Sequence, residues 1–475
     1  MKHFLLILLG SFIVYFFSWF VVYKLGINNL PLQSEDSLPA VFLPLAVIKE
    51  NTFYLDTYYN MMLERYPHPD DKDRKLDLTP FYLKKVQEIK IYESSDKENR
   101  PHYVSAFPVI SGLLAIPFYL PFMLFGTVVS WENLLIMSHL SSAGIMALGV
   151  GFFYLLIKRF FIRDEKTSIT ITFIYAFCTI NYALISQALW QHGTVQLLSI
   201  LGLYFLLKSI SAENRDYLSS LFFSGFFFGW AVLSRPTALL PAGIFTLLVY
   251  LSFKSNFWKV LKSTLFYILG LIPPGMFFLW YNNTFYKTIA NQGYADQLSV
   301  GWQSNIIEGF LGLWISPSKG ILVYSPFLIF AFIGLFIVIR DRKFKDHLPI
   351  LLSWLVVLIQ ITVMGKWKHW YGGWSFGYRM ASDITPFLML LLIPYLKSDL
   401  YRRTRKFFIV TVAFSFLVEL FGIIFFDGIW HSAYDRGYID TGWLWSIKDS
   451  EFVFNIRRIL VKLNLLERAC PKCLP

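Results

Sequence analysis

Residues 4–23 read FLLILLGSFIVYFFSWFVVY. A largely apolar run of about twenty residues, with only Ser11 and Ser18 polar, is what an α-helix needs to cross a bilayer. The run follows only Lys2 and His3, and it is longer than the core of a signal peptide and lacks a small-residue cleavage site. It therefore predicts a retained first helix. Moving outward, eleven further apolar runs lie near 107–126, 133–157, 167–186, 193–209, 217–233, 237–253, 261–281, 321–339, 348–364, 382–396 and 407–426. The whole chain of 475 residues is 56% hydrophobic and 16% charged, against about a quarter charged in an ordinary soluble domain. These numbers exclude a soluble enzyme. The net charge of +12 does not point to nucleic acid, because most of the cations sit in short loops between apolar runs.

Those loops set the topology. The segments 158–166, 208–216, 254–262, 340–346 and 397–406 carry 18 Lys and Arg in total, and the segments alternating with them carry 6. The positive-inside rule makes the first set cytoplasmic. Lys2 puts the N-terminus on the same side, which places residues 24–106 outside. Were 107–126 also to cross, every basic loop would fall outside. We therefore read 107–126 as re-entrant or interfacial, with Pro108, Pro117 and Pro121 interrupting its helix. The expected fold is an all-α polytopic membrane protein with about eleven transmembrane helices.

Residues 1–426 form the transmembrane domain in this reading. A long first outer loop, 24–132, carries juxtamembrane helices, and a short outer tail occupies 427–475. The 24–106 stretch holds 13 of the 31 acidic residues, and its 70–100 part is charged enough to be partly mobile. In the tail, Val453, Ile456, Leu460 and Leu463 recur at helical spacing beside Arg457, Arg458 and Lys462, which predicts a helix lying on the membrane surface. Cys470 and Cys473 make a single C-P-K-C, half of a zinc site or a small disulfide at most.

The polar and aromatic clusters all fall on the outer side of this topology. A transport path would instead place polar groups at mid-membrane depth, so one-sided clustering points to a reaction at the interface. Glu35 and Asp36 follow the first helix closely, where a carboxylate can serve as general base for an acceptor hydroxyl or stand as a solvated loop acid. Arg235, Lys319 and Arg379 lie at outer helix ends within S-R-P, S-P-S-K-G and G-Y-R. Cations so placed can bind a phosphate in the headgroup layer or snorkel to the interface. Trp190, Gln191 and His192, with His369, Tyr371 and Trp374, can stack on or hydrogen-bond a sugar, although aromatic residues also build the ordinary interfacial belt. No metal triad, Walker A or G-x-G-x-x-G is evident. No cofactor is called for; a divalent metal is conceivable through Asp36, Asp56 and His192 but is not indicated.

With these residues in place, the chain resembles the multi-spanning glycosyltransferases of the C superfamily that use polyprenyl-phosphate sugars. These include protein O-mannosyltransferases and lipid A aminoarabinose transferases. The resemblance rests on Asp36 after the first helix, Y-V-S-A-F-P at 103–108, L-W-Q-H-G at 189–193, S-R-P-T at 234–237, S-P-S-K-G-I-L-V-Y-S-P at 316–326 and Y-G-G-W-S-F-G-Y-R at 371–379. It covers roughly residues 1–400, and the motifs are specific as a set rather than singly. Two departures stand out: the acidic pair is Glu35-Asp36 rather than Asp-Asp, and Lys319 occupies a place where close relatives would carry Arg.

The resemblance implies an inverting transfer of a sugar from a polyprenyl-phosphate donor to a hydroxyl of a lipid, glycan or protein. Asp36 or Glu35 would be the base, and Arg379 and Arg235, with Lys319, would neutralise the leaving phosphate. It further implies a bacterial inner (plasma) membrane location with the site on the non-cytoplasmic side. A lipid or polysaccharide transporter or flippase is the alternative, its best support being Glu419 within a span. An oligosaccharide ligase is a further one.

Overall fold

The structure is a computed structural model that describes residues 2–27, 32–86, 101–211, 216–253, 256–288, 300–342, 344 and 347–467. Residues 87–100 of the charged stretch, and the Cys470/Cys473 tail, lie outside the described residues. The chain is an all-α polytopic membrane protein. Its described residues contain nine helices long and apolar enough to cross a membrane: Lys2–Lys24, Trp131–Phe160, Gln191–Ile210, Tyr217–Ser234, Pro236–Phe253, Phe257–Tyr286, Leu348–Lys366, Arg379–Leu396 and Asp399–Phe425.

Two of the eleven expected spans are broken short. Residues 167–186 form the helix Glu165–Phe177 and then an irregular buried stretch. Residues 321–339 divide into Ile321–Tyr324 and Ile329–Asp341. In the second case Pro326 drives Ser325 out of the α region, to φ −129° and ψ 65°. In the first, side chains take over the backbone's hydrogen bonds. Thr179 Oγ1 and Asn181 Nδ2 donate to the Tyr175 carbonyl at 2.7 and 3.1 Å. Non-helical backbone is tolerated among apolar helices where protein groups satisfy it in this way.

The 107–126 stretch forms the helix Ile110–Leu124, of 15 residues. At 1.5 Å per residue it spans about 22 Å, short of the ~30 Å hydrocarbon core. Pro117 and Pro121 sit inside this helix rather than ending it, a correction to their expected role as breakers.

The chain folds as two compact units. One comprises Ser34–Phe152 and Ala188–Val300. In it the helices Tyr217–Ser234 and Phe257–Tyr281 meet backbone to backbone. A Cβ on Gly225 would lie 2.0 Å from the Tyr267 carbonyl oxygen, and one on Gly270 would lie 2.0 Å from that of Phe222. Small residues at such crossings allow the close approach on which packing within a membrane depends. Residues 34–130, which precede the second long helix, belong to this unit. They contribute the short helices Leu38–Glu50 and Tyr59–Arg65 and an antiparallel hairpin pairing Leu83–Val86 with His102–Ser105. Tyr119 donates to the Val41 carbonyl at 2.9 Å and fastens Leu38–Glu50 to Ile110–Leu124.

The other unit comprises Met1–Gln33, Phe153–Gln187 and Gly301–Pro475. The first helix docks on the irregular 178–186 stretch. Tyr15 donates to the Ala176 carbonyl at 2.9 Å, and the Ser18 and Tyr182 hydroxyls lie 2.9 Å apart. The tail closes onto the same unit through its helix Glu451–Lys462. That helix buries Glu451, Phe454, Asn455 and Arg458 and leaves Ile456 and Leu463 exposed. The apolar stripe expected to mark a membrane-surface helix is thus the outward face, and the polar set is the packed one.

Candidate active site

The structure divides the candidate residues between the units. Glu35, Asp36, Trp190, Gln191, His192 and Arg235 fall in one; Lys319, His369, Tyr371, Trp374 and Arg379 fall in the other.

Glu35 and Asp36 occupy a single 3-10 turn, Glu35–Ser37, between the first helix and Leu38–Glu50. Ser34 makes the turn: its hydroxyl accepts from the Asp36 N–H at 3.2 Å, and the Ser37 hydroxyl donates to the Ser34 carbonyl at 2.8 Å. Both carboxylates are half-buried. Burial, and then the neighbouring Asp36 charge, raise the Glu35 carboxyl above its ordinary 4.5.

His192 and Arg235 come together in the same unit. His192 opens the helix Gln191–Ile210 behind Trp190, whose ring lies 6.2 Å from the imidazole. Arg235 stands where Pro236 forces the chain out of the helix Tyr217–Ser234, to φ −159°. Arg235 Nη1 is 2.5 Å from His192 Nδ1 and 2.9 Å from Nε2. A guanidinium can only donate, so the imidazole accepts. Both side chains are buried. Close by in the chain, Leu233, Phe277, Phe278 and Tyr281 line an apolar pocket.

In the other unit the Y-G-G-W-S-F-G-Y-R stretch is an irregular loop that leads into the turn Arg379–Ile384. Arg379 is half-buried and donates from Nη1 to the Gly372 carbonyl at 3.3 Å. Tyr371 is buried, with its hydroxyl 3.1 Å from His369 Nδ1. Trp374 is 52% exposed and donates to Asp435 at 2.8 Å. Lys319 has no exposed surface. Its ammonium donates to the Ser375 carbonyl and to His431 Nε2 at 3.0 Å, and lies 3.5 Å from Glu451. Burial pushes Lys319 down and Glu451 up, and each opposes the other's shift. Burial and the Lys319 charge hold His431 far below its ordinary range, so it is the neutral acceptor that the ammonium needs.

His431, Glu451 and Asp435 are absent from the sequence reading. The available signal was the spacing of Glu451, Asn455 and Arg458 along one helical face, opposite the apolar stripe. Of the mid-span polar residues, Glu419 accepts from the Ala183 N–H at 3.1 Å, Asn181 bonds the Tyr175 carbonyl, and Ser353 bonds the Pro349 carbonyl. Among the described residues no three His, Cys, Asp or Glu side chains come together as a metal site.

No protein-family model matches the chain, and no curated protein matches it in sequence. Among solved structures it is similar to the oligosaccharyltransferase of Archaeoglobus fulgidus, crystallised with Zn and sulfate. The TM-score is 0.46 and the identity 12%, over 90% of this chain and 54% of that one. The chain thus spans about half the length of that structure.

Proposed function

We propose that this protein transfers a sugar from a polyprenyl-phosphate donor to an acceptor hydroxyl on the non-cytoplasmic side of a membrane, in a bacterium the inner membrane. The carrying observation is where the ionisable side chains lie along the helices. Within the helices, Ser353 and Glu419 bond backbone groups, and Asn181 does so in the irregular stretch after Phe177. The half-buried carboxylates and the guanidinium groups lie at helix ends. That distribution favours a reaction at the interface over a polar path through the bilayer.

In this mechanism Asp36 accepts the proton of the acceptor hydroxyl. Glu35, whose carboxyl is raised by burial and by the Asp36 charge, is the alternative base. The acceptor oxygen attacks the anomeric carbon as the bond from that carbon to the phosphate oxygen breaks, and the configuration inverts. The transition state has oxocarbenium character, as in glycoside hydrolysis. The phosphate leaves without protonation because Arg235, in the same unit as Asp36, offsets its growing charge, and phosphate contact in the other unit is assigned to Arg379. Trp190, Gln191, His192, His369, Tyr371 and Trp374 are the groups we assign to sugar and acceptor contact.

The test is purified protein in liposomes with a panel of radiolabelled polyprenyl-phosphate sugars. Label is expected to move covalently to lipid, glycan or protein. Movement of lipid between leaflets without covalent transfer would support the flippase reading instead, and use of an oligosaccharide donor alone would support a ligase.

A further inference from the structure

The loop 371–379 has two differently used sides. Three of its carbonyls are held on one side: Ser375 C=O accepts from Lys319, Gly372 C=O from Arg379 and from the Ser375 hydroxyl at 3.1 Å, and Gly373 C=O from the Ser375 N–H at 2.9 Å while also facing His431. Its large side chains are anchored inward as well. The Tyr378 hydroxyl lies 2.9 Å from the Ser325 hydroxyl and accepts from the Ile180 N–H at 3.1 Å. The Phe376 ring packs edge-on against Tyr324, with centroids 5.1 Å apart.

The backbone donors are the contrast. Phe376, Gly377 and Tyr378 are buried residues, yet among the described residues their N–H groups meet no acceptor. A buried backbone donor without a partner is rare, and each instance calls for an explanation such as a water, an ion or a ligand. Three in succession are harder to attribute to chance. The peptide bonds are all trans, and in a trans peptide the C=O and the following N–H point in opposite directions. With Ser375 C=O turned toward Lys319, the Phe376 N–H is turned away from that ammonium. Gly377 then takes φ +58° and Tyr378 φ −90°. Alternation of the sign of φ is the arrangement in which consecutive N–H groups form an anion-binding concavity.

We infer that the backbone N–H groups of Phe376, Gly377 and Tyr378 form a preorganised cradle for a phosphate oxygen, held from behind by the Lys319–Glu451–His431 cluster. The inference rests on the proposed phosphate chemistry of this loop and adds its backbone to the Arg379 side chain. Lys319, being enclosed, is a positioning residue: it acts through the Ser375 carbonyl. The ligand class is a phosphate mono- or diester carrying an alkyl or isoprenoid chain.

An amide-to-ester exchange tests this in the full-length protein. Incorporating the α-hydroxy analogue of tyrosine at position 378 replaces that N–H by oxygen and keeps the side chain. The probe is radiolabelled dodecyl phosphate, with dodecanol as the uncharged control. The ester is expected to weaken dodecyl phosphate binding about tenfold, leave dodecanol uptake unchanged, and leave the thermal midpoint of the unliganded protein unchanged, since the lost N–H has no partner to forfeit. The same exchange at Phe376 is expected to weaken binding as much and also to lower the midpoint, because it weakens the Ser375 carbonyl as an acceptor for Lys319. If Arg379→Ala loses dodecyl phosphate binding while both esters retain it, the cradle is overturned and the role of Arg379 survives. If neither the esters nor Arg379→Ala affects binding, both fall. A drop in midpoint at 378 without ligand would show that its N–H serves the fold, and would also overturn the cradle.

Discussion

Glu35–Asp36 and Lys319–Glu451 are two ways of keeping ionisable groups near the ends of apolar helices. The first pairs like with like. Two carboxylates share one turn, half-buried, and Glu35 is made reluctant to ionise by burial and by its neighbour. The second pairs opposites with no access to solvent and adds hydrogen bonds with Ser375, His431 and Tyr324. The difference separates a reagent from a staple. A carboxylate meant to take up a proton keeps some access to solvent. A carboxylate meant to hold a loop is neutralised and enclosed.

The comparison breaks most decisively at Asp36. Replacing Asp36 by Asn is expected to lower sugar transfer by about 10²–10⁴-fold, the usual range for a general base, with the thermal midpoint nearly unchanged. Radiolabel transfer and differential scanning on the same preparation give both numbers, and a loss of folding in place of a loss of transfer would make Asp36 a staple too.

On the other side, Glu451→Ala leaves a buried ammonium unpaired and is expected to cost about 3–5 kcal/mol of stability. The double change Lys319→Met with Glu451→Leu is expected to recover most of that, because two apolar side chains need no compensation. Denaturant unfolding in mild detergent distinguishes the two. If the single and double variants are equally unstable, the ion pair is not what the cluster contributes.

A smaller effect concerns Asp71, in the segment between the first two long helices. Its carboxylate accepts backbone N–H groups from Lys75, Leu76 and Leu78 at 2.8–3.2 Å. Desolvation alone would raise its pKa, but those bonds outweigh it and the net shift is downward. A depressed folded-state pKa means that the stabilisation is present above the unfolded value of 3.8 and is lost as pH falls through the lower, folded one. Asp71→Asn should therefore lower hydrogen-exchange protection of residues 75–78 at neutral pH, by an amount that shrinks as the medium is acidified below pH 3.8.

The smallest effect is expected at Glu35. Its folded-state pKa is raised, so ionisation opposes folding at neutral pH and ceases to matter below the unfolded value of 4.5. Glu35→Gln is accordingly expected to raise the thermal midpoint slightly at pH 7 and to leave it unchanged below pH 4.5. A destabilised Gln variant at pH 7 would mean that the carboxylate makes a favourable contact and that the like-charge description of this turn is wrong.

Hydropathy made the all-helical membrane fold legible, because twenty apolar residues in a row have few other uses. It overcounted long helices where local chemistry interrupts an apolar run. Pro326 was visible as a breaker, but the Thr179 and Asn181 bonds to the Tyr175 carbonyl end a helix without any proline to announce it. At the site, the His192–Arg235 contact joins two motifs picked out separately, 43 residues apart. The buried cluster was not legible. Periodicity marks the apolar face of the tail helix, and next to a membrane an apolar face need not be the one that packs on protein. Glu451, Asn455 and Arg458 pack instead, with Arg458 closing on Asp427 at 2.7 Å. The cradle at 376–378 was beyond reach for another reason: backbone donors carry no sequence signature except the glycine at φ +58°.

The most direct test of the central claim follows one labelled sugar from a polyprenyl phosphate to an acceptor hydroxyl in the wild type, in Asp36→Asn and in Arg379→Ala, with the anomeric configuration of the product read by NMR. The account predicts an inverted product from the wild type and loss of product in both variants. A product of retained configuration, or undiminished transfer by Asp36→Asn, would contradict it.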